Sequence, residues 1–293
     1  MHIASPSASA AAPTGAATAD SQPREFSFDQ RDFARVRQLI YQRAGISLHE
    51  HKQAMVYSRL SRRLRETGHQ SFASYLQWLD GASGDAADRE WQEFTNCLTT
   101  NLTAFFREEH HFPVLAETLA QLGSGKPVRI WCSAASTGEE PYSLAMCAVE
   151  TLGASAPVKI LASDIDTNVL AQAQRGVYAA DARGLNPERL RRHFLRGTGA
   201  NQGSIRVRPE LQKMIEFRSF NLMNASWSLG EPFDIVFCRN VMIYFDAPTQ
   251  RKVLERIHAV MRPHGMLFVG HSENFTDSRD LFQLRGKTVY LRA

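Results

Sequence analysis

From residue 128 onward, short apolar runs alternate with helical stretches, and this alternation constrains the fold more than any other feature. The runs Val128–Cys132, 158–162 and Phe233–Cys238 are too short and too uniformly apolar for amphipathic helices. Between and after them, Glu139–Leu152, Thr167–Arg175 and 248–261 carry apolar residues at helical spacing, and strands return at 266–269 and 288–291. Strands alternating with helices predict an α/β domain with a doubly wound parallel sheet, whose ligands bind outside the carboxyl ends of the strands. Between about 180 and 220 the alternation breaks. A short helix at 187–194, a glycine-rich turn and two short runs at 204–207 and 214–217 read there as a small inserted antiparallel β subdomain.

The region before this domain has a different period. Phe33, Val36, Leu39 and Ile40 form one stripe, Phe72, Tyr75, Leu76 and Leu79 another, and Gly45, Gly68 and Gly84 punctuate them. That pattern predicts a small all-helical domain over residues 24–98, with the α/β domain over 99–293. Residues 1–23 are rich in Ala, Ser, Thr and Pro, with neither a basic start nor an apolar block, and read as a disordered lead.

No run reaches the ~18 apolar residues that a membrane span needs, so the expectation is a cytoplasmic protein without membrane insertion. Cys97, Cys132, Cys147 and Cys238 form no CxxC pair and read as small buried hydrophobes, and no metal motif is present. The net charge of +4 suggests an acidic partner without naming it.

The first strand runs into Ser136-Thr-Gly-Glu-Glu-Pro-Tyr-Ser143, a tight small-residue loop opening a helix. Gly138 would let a ligand approach the backbone, and Pro141 suits a first helical turn. The loop is not GxGxxG, so a dinucleotide is disfavoured. Glu139 and Glu140 at the helix start oppose a phosphate and suit a cation, although the helix dipole alone would also favour them. Asp164 follows Gly138 by 26 residues at the end of the second strand, where an acid can accept both ribose hydroxyls. Asp164 could instead cap the next helix, a role open equally to Asp166 or Thr167.

Five segments make the pattern specific. Leu98-Thr-Thr-Asn-Leu-Thr-Ala-Phe-Phe-Arg107, Ser136 to Ser143, Ser163-Asp-Ile-Asp166, Phe237-Cys-Arg-Asn-Val-Met-Ile-Tyr-Phe245 and Gly270-His-Ser-Glu-Asn274 closely resemble, in order, the motifs of the CheR family of chemotaxis receptor methyltransferases. The resemblance runs from about residue 25 to the end. It implies a Rossmann-like S-adenosylmethionine-dependent methyltransferase domain with an inserted β subdomain, preceded by a helical domain. It also implies cofactor contacts at Asn101, Thr103, Arg107, Glu139, Asp164, Asn221, Leu222, Arg239 and Asn240. The implied reaction is methyl transfer to glutamate carboxylates of methyl-accepting chemotaxis receptors, with S-adenosylhomocysteine as the product.

A carboxylate with an ordinary pKa of ~4.3 is already ionised at neutral pH, so no general base is required. Alignment and water exclusion are what the enzyme must supply. Arg107 is expected to orient the acceptor carboxylate through its guanidinium fork, and Tyr244 to border the transfer point, while Arg239 holds the loop.

Two basic surfaces are expected to dock the receptor. Lys52, Arg59, Arg62, Arg63 and Arg65 form a positive run, with Lys52, Arg59 and Arg63 on one helical face opposite Tyr57, Leu60 and Leu64. In the β subdomain, Arg196, Arg206 and Arg208 flank an edge that would accept a C-terminal receptor peptide as an added strand, as some CheR-type enzymes do. A nucleic-acid methyltransferase would need stacking aromatics beside its basic residues, and the helical run holds one tyrosine. A non-catalytic module is opposed by the intact Arg107, Glu139, Asp164 and Tyr244.

Overall fold

The computed structural model describes residues 25–123 and 126–293. The lead expected over residues 1–23 lies outside them. Four helices come first: α1 (Gln30–Ala44), α2 (Gln53–Thr67), α3 (Phe72–Gly81) and α4 (Asp85–Leu98). The Asp29 carboxylate accepts the Arg31 and Asp32 N–H groups while Asp32 answers the Asp29 N–H, a reciprocal cap that satisfies donors the first turn cannot. Both apolar stripes point inward, and Val36, Ile40, Leu60, Phe72 and Phe94 meet in one core with none of their surface exposed.

The remaining elements are α5 (His111–Leu122), β1 (Val128–Cys132), α6 (Glu139–Leu152), β2 (Val158–Asp164), α7 (Thr167–Arg175), β3 (Val177–Ala179), α8 (Pro187–His193), β4 (Phe194–Arg196), β5 (Ser204–Val207), α9 (Pro209–Gln212), β6 (Ile215–Ser219), β7 (Phe233–Cys238), α10 (Ala247–Val260), β8 (Met261–Val269), β9 (Phe282–Gly286) and β10 (Val289–Arg292). Seven strands form one sheet in the order β6-β2-β1-β7-β8-β10-β9, the first five parallel and β10 antiparallel to both of its neighbours. The runs are uniformly apolar because both faces of the sheet are covered. Along β1, Ile130 and Cys132 enter the core on one face and Trp131 the core on the other. The chain moves outward from β1 through β2 to β6, then returns to the opposite side of β1 as β7. The sheet therefore reverses direction between β1 and β7, and a crevice opens at the carboxyl ends there.

The inserted subdomain is a three-stranded antiparallel sheet, β3-β5-β4, and its bounds differ from those expected. Val177–Ala179 is its first strand, whereas the run at 214–217 contributes to β6, which pairs parallel with β2 at the edge of the main sheet. Local pattern cannot separate a short strand of one sheet from that of another. The insertion also encloses Phe105, whose ring meets Tyr178 and Phe194 edge-on at centroid distances of 4.9 and 5.6 Å.

The basic run on α2 is not an open stripe. Arg63 is half-buried in an ion pair with the buried Glu90, its Nε donating at 2.9 Å, and it also meets Glu66; the Glu90 carboxylate in turn accepts the Tyr75 hydroxyl. Arg59 turns inward to the carbonyls of Cys97 and Thr99 at the end of α4. Arg62 and Arg65 stay exposed but face Glu66 and Glu25. Lys52 precedes α2 in a single helical turn (Glu50–Lys52) and is exposed. Charge periodicity placed Lys52, Arg59 and Arg63 on one face, but helix packing sends Arg59 to backbone carbonyls and sets Glu90 and Glu66 against Arg63.

Candidate active site

A cavity of about 400 Å³ opens at the carboxyl ends of the strands where the sheet reverses, within the range of small-molecule sites. Its walls come from the segments after β1, β2, β6 and β7, from the loop after α4 and from residues 44–55 of the helical part. Of the seven non-glycine residues with left-handed backbone among the described residues, Ser136 and Asn240 line it, and Phe106 and Glu108 flank Arg107, which also lines it. Such conformations are unfavourable for L-residues and concentrate where surrounding structure holds a site in place.

Asp164 forms part of the wall at the end of β2 and is only 8% exposed. Its Oδ1 accepts the Asp166 N–H at 3.0 Å and its Oδ2 the Ser136 N–H at 2.8 Å. Each oxygen keeps an unused lone pair, which suits a vicinal pair of hydroxyls. Burial pushes this carboxyl up to about 6, against the lowering effect of the backbone N–H groups of Asp166, Ser136 and Ile165. The helix-capping role falls to Asp166, which accepts Asn168 and Val169 N–H groups and also holds Asn101 and Thr99 at 2.7 Å. That division leaves Asp164 free for a ligand.

Arg239, at the end of β7, is 4% exposed and sits among acids. Its Nη1 donates to Glu140 at 2.7 Å, its Nη2 lies 3.3 Å from Glu108, and it also donates to the Arg107 carbonyl. Arg239 therefore fixes the backbone of the Arg107 loop. Glu108, His110 and His111 come close enough to share an ion, but the guanidinium of Arg239 already claims Glu108. Burial and that neighbouring cation push His111 down to about 3, so its ring is neutral.

Glu273 was not singled out in the sequence, although it lies within one of the five motifs. Its buried carboxylate accepts the N–H groups of Asn240, Val241, Met242 and Gly270. These hydrogen bonds clamp the segment that carries Asn240 and Tyr244. A side chain at Gly270 would stand 2.9 Å from both the Asn240 nitrogen and the Glu273 carboxylate, so only glycine allows the approach. No local signal marks this contact, because the acceptor lies about thirty residues beyond three of its four donors.

Asn101, Thr103, Arg107, Asp164, Asn221, Leu222, Arg239, Asn240 and Tyr244 all line the one cavity. Asn221 also donates to the Arg43 carbonyl at 2.7 Å, and the Tyr244 carbonyl accepts the Ser47 N–H at 2.8 Å, so both residues join the helical part to the sheet. Glu139 is the exception. Its carboxylate accepts the Thr137 hydroxyl and lines a neighbouring cavity of about 420 Å³ that meets the first at Thr103. Glu140 is the acid on the main cavity, because one residue on a helix turns the side chain by about 100°. Gly138 does not serve a ligand's approach either: a side chain there would strike Tyr178 and Ala173 at 2.7 and 2.8 Å. Its role is packing within the protein.

Of the other docking residues, Lys52 lines the cavity. Arg196 and Arg206 are exposed on β4 and β5, while Arg208 turns back toward the Arg191 carbonyl at 3.5 Å. All four cysteines are buried and unpaired.

Comparison with known proteins decides the family. Residues 101–291 match the family described as CheR methyltransferase, SAM binding domain, and residues 31–99 match CheR methyltransferase, all-alpha domain. The chain belongs to the CheR methyltransferase family. It is 53% identical over 270 residues to chemotaxis protein methyltransferase 2 of Pseudomonas aeruginosa, covering 91% of this chain and 95% of that one. It is 52% identical over 260 residues to the chemotaxis protein methyltransferase of Escherichia coli, covering 88% and 89%. This CheR protein is thus a methyltransferase that uses S-adenosylmethionine. The cavity fits that cofactor: Asp164 offers paired acceptors for a ribose, and Phe220, Leu222 and Ile165 offer apolar wall for an adenine. No helix among the described residues is long and apolar enough to cross a membrane.

Proposed function

We propose that this methyltransferase esterifies glutamate side chains on methyl-accepting chemotaxis receptors. One observation carries the reading: Arg107 and Tyr244 line the same cavity as Asp164. S-adenosylmethionine, when bound, supplies a methyl group made electrophilic by its sulfonium. Asp164 would hold the ribose, with Asn101, Thr103, Asn221, Leu222 and Asn240 around the cofactor. Glu139, at the adjoining cavity, would reach it only across Thr103.

The acceptor is a carboxylate and needs no base, so the protein's task is to bring it in ionised and aligned. Buried acids would repel it, but Arg239 lies between Glu140 and Glu108 and offsets one of their two charges. Arg107 then remains as the cation that faces the acceptor, its Nη1 bonded to the Leu102 carbonyl at 2.8 Å and its fork otherwise available. The Tyr244 hydroxyl has no protein partner among the described residues and can complete the acceptor's hydrogen bonding.

The acidic partner suits Lys52 at the cavity and Arg62 on α2. The inserted sheet would add a second contact, a receptor peptide beside β4, with Arg196 and Arg206 facing its acidic groups and raising the effective receptor concentration. Labelled methyl transfer to receptor-containing membranes tests the reading: the product should release methanol on alkali treatment. Label stable to alkali would exclude a carboxyl ester.

A further inference from the structure

Two large apolar side chains stand exposed where the cavity meets solvent. Leu102 is 78% and Ile243 47% exposed, and both line the same cavity as Arg107 and Tyr244. Single exposed hydrophobics are commonplace, but these two come from different elements and converge on one opening. Their backbones are held firmly. Asn101 is bonded to Asp166 at 2.7 Å, and the Leu102 carbonyl accepts from Arg107. Ile243 follows Val241 and Met242, whose N–H groups are bound by Glu273, and precedes Tyr244, whose carbonyl is bound by Ser47. Side chains fixed in this way present apolar surface at constant geometry rather than on a moving loop.

We propose that Leu102 and Ile243 are apolar lips that grip the acceptor helix on either side of the carboxylate to be methylated. The inference rests on the receptor reading above and adds the residues that select the site. The occupant is an amphipathic acidic helix whose target carboxylate has apolar side chains one turn away. Neighbours three or four positions apart on a helix lie ~5–6 Å from one another, so they reach the lips while the carboxylate enters toward Arg107. Charge at the rim agrees: Lys52 is exposed, lines the cavity and forms no ion pair among the described residues. An isolated glutamate, or one flanked by charged residues, lacks the apolar contact and is discriminated against.

Leu102→Ala and Ile243→Ala test this in the full chain with a soluble receptor cytoplasmic fragment. Each should raise both the receptor KM and the dissociation constant, measured with S-adenosylhomocysteine present, by about 10-fold, the scale of burying one such side chain. Turnover at saturating receptor should fall far less than KM rises, with calorimetric affinity for S-adenosylmethionine held within about twofold. Leu102→Met should recover most of the receptor affinity. Unchanged KM and dissociation constant in both variants would overturn the proposal, as would a loss of cofactor affinity in proportion to activity. If the wild-type protein places no ester on the fragment, the receptor reading fails. Wild-type esterification with unaltered variants sinks the lips alone.

Discussion

Replacing Asp164 by alanine should weaken S-adenosylmethionine binding by roughly 10- to 150-fold, corresponding to the ~1.5–3 kcal/mol of hydrogen bonds to a charged group. The carboxylate is buried and accepts backbone N–H groups on both oxygens, and in the proposed reading its remaining lone pairs would take the ribose hydroxyls. Calorimetric titration checks the value, and unchanged affinity would remove the adenosine assignment. Asp164 also predicts a pH dependence. Its carboxyl is pushed up to about 6 by burial, whereas hydroxyl donors bind the ionised form. Affinity should therefore be constant above that pH and fall as pH drops through it, by roughly tenfold per unit once the group is protonated. Asp164→Ala should lose this dependence. A wild-type affinity that stays flat to pH 5 would show that the carboxyl does not contact the cofactor.

Arg107→Ala should lower turnover on receptor by about 100-fold, the scale of a misplaced reacting group, while cofactor affinity changes much less. The guanidinium forms no ion pair among the described residues and bonds the Leu102 carbonyl of its own loop, while Arg239 anchors that loop independently by binding the Arg107 carbonyl. The loop should therefore survive the substitution, and the loss should appear in the chemical step. Arg107→Lys should fall between the two, because a point charge cannot grip both oxygens of a carboxylate. Single-turnover kinetics beside calorimetry separates the alternatives. If affinity for S-adenosylmethionine falls in full proportion to activity, Arg107 is a cofactor residue and the acceptor-orienting role is wrong.

Much of the architecture was legible because it depends on local period. The stripes Phe33-Val36-Leu39-Ile40 and Phe72-Tyr75-Leu76-Leu79 are buried helix faces, and the runs at β1, β2 and β7 are strands covered on both sides. Asp164 at the end of β2 followed from the alternation itself, since a strand's last residue reaches the crevice wherever the sheet reverses. The motif resemblance added the loop residues Asn101 and Thr103, which no periodicity distinguishes.

What only the tertiary structure decided concerns partners distant in sequence. Arg63 belongs to a positive run, yet Glu90 from another helix neutralises it, and burial makes that pairing structural. The run at 214–217 has strand character in either sheet, and its pairing with β2 rather than with β5 depends on how α9 returns the chain. Glu139 and Glu140 are adjacent acids at a helix start, and only the rotation of α6 against the sheet decides which one faces the cavity. Glu273 binds four backbone donors, three of them about thirty residues upstream. Sequence encodes period and residue type within a window of one turn or one strand. Whether a charge meets solvent, an ion-pair partner or a ligand is set by packing between elements, and in this chain that packing separates the residues of the site from those that hold it.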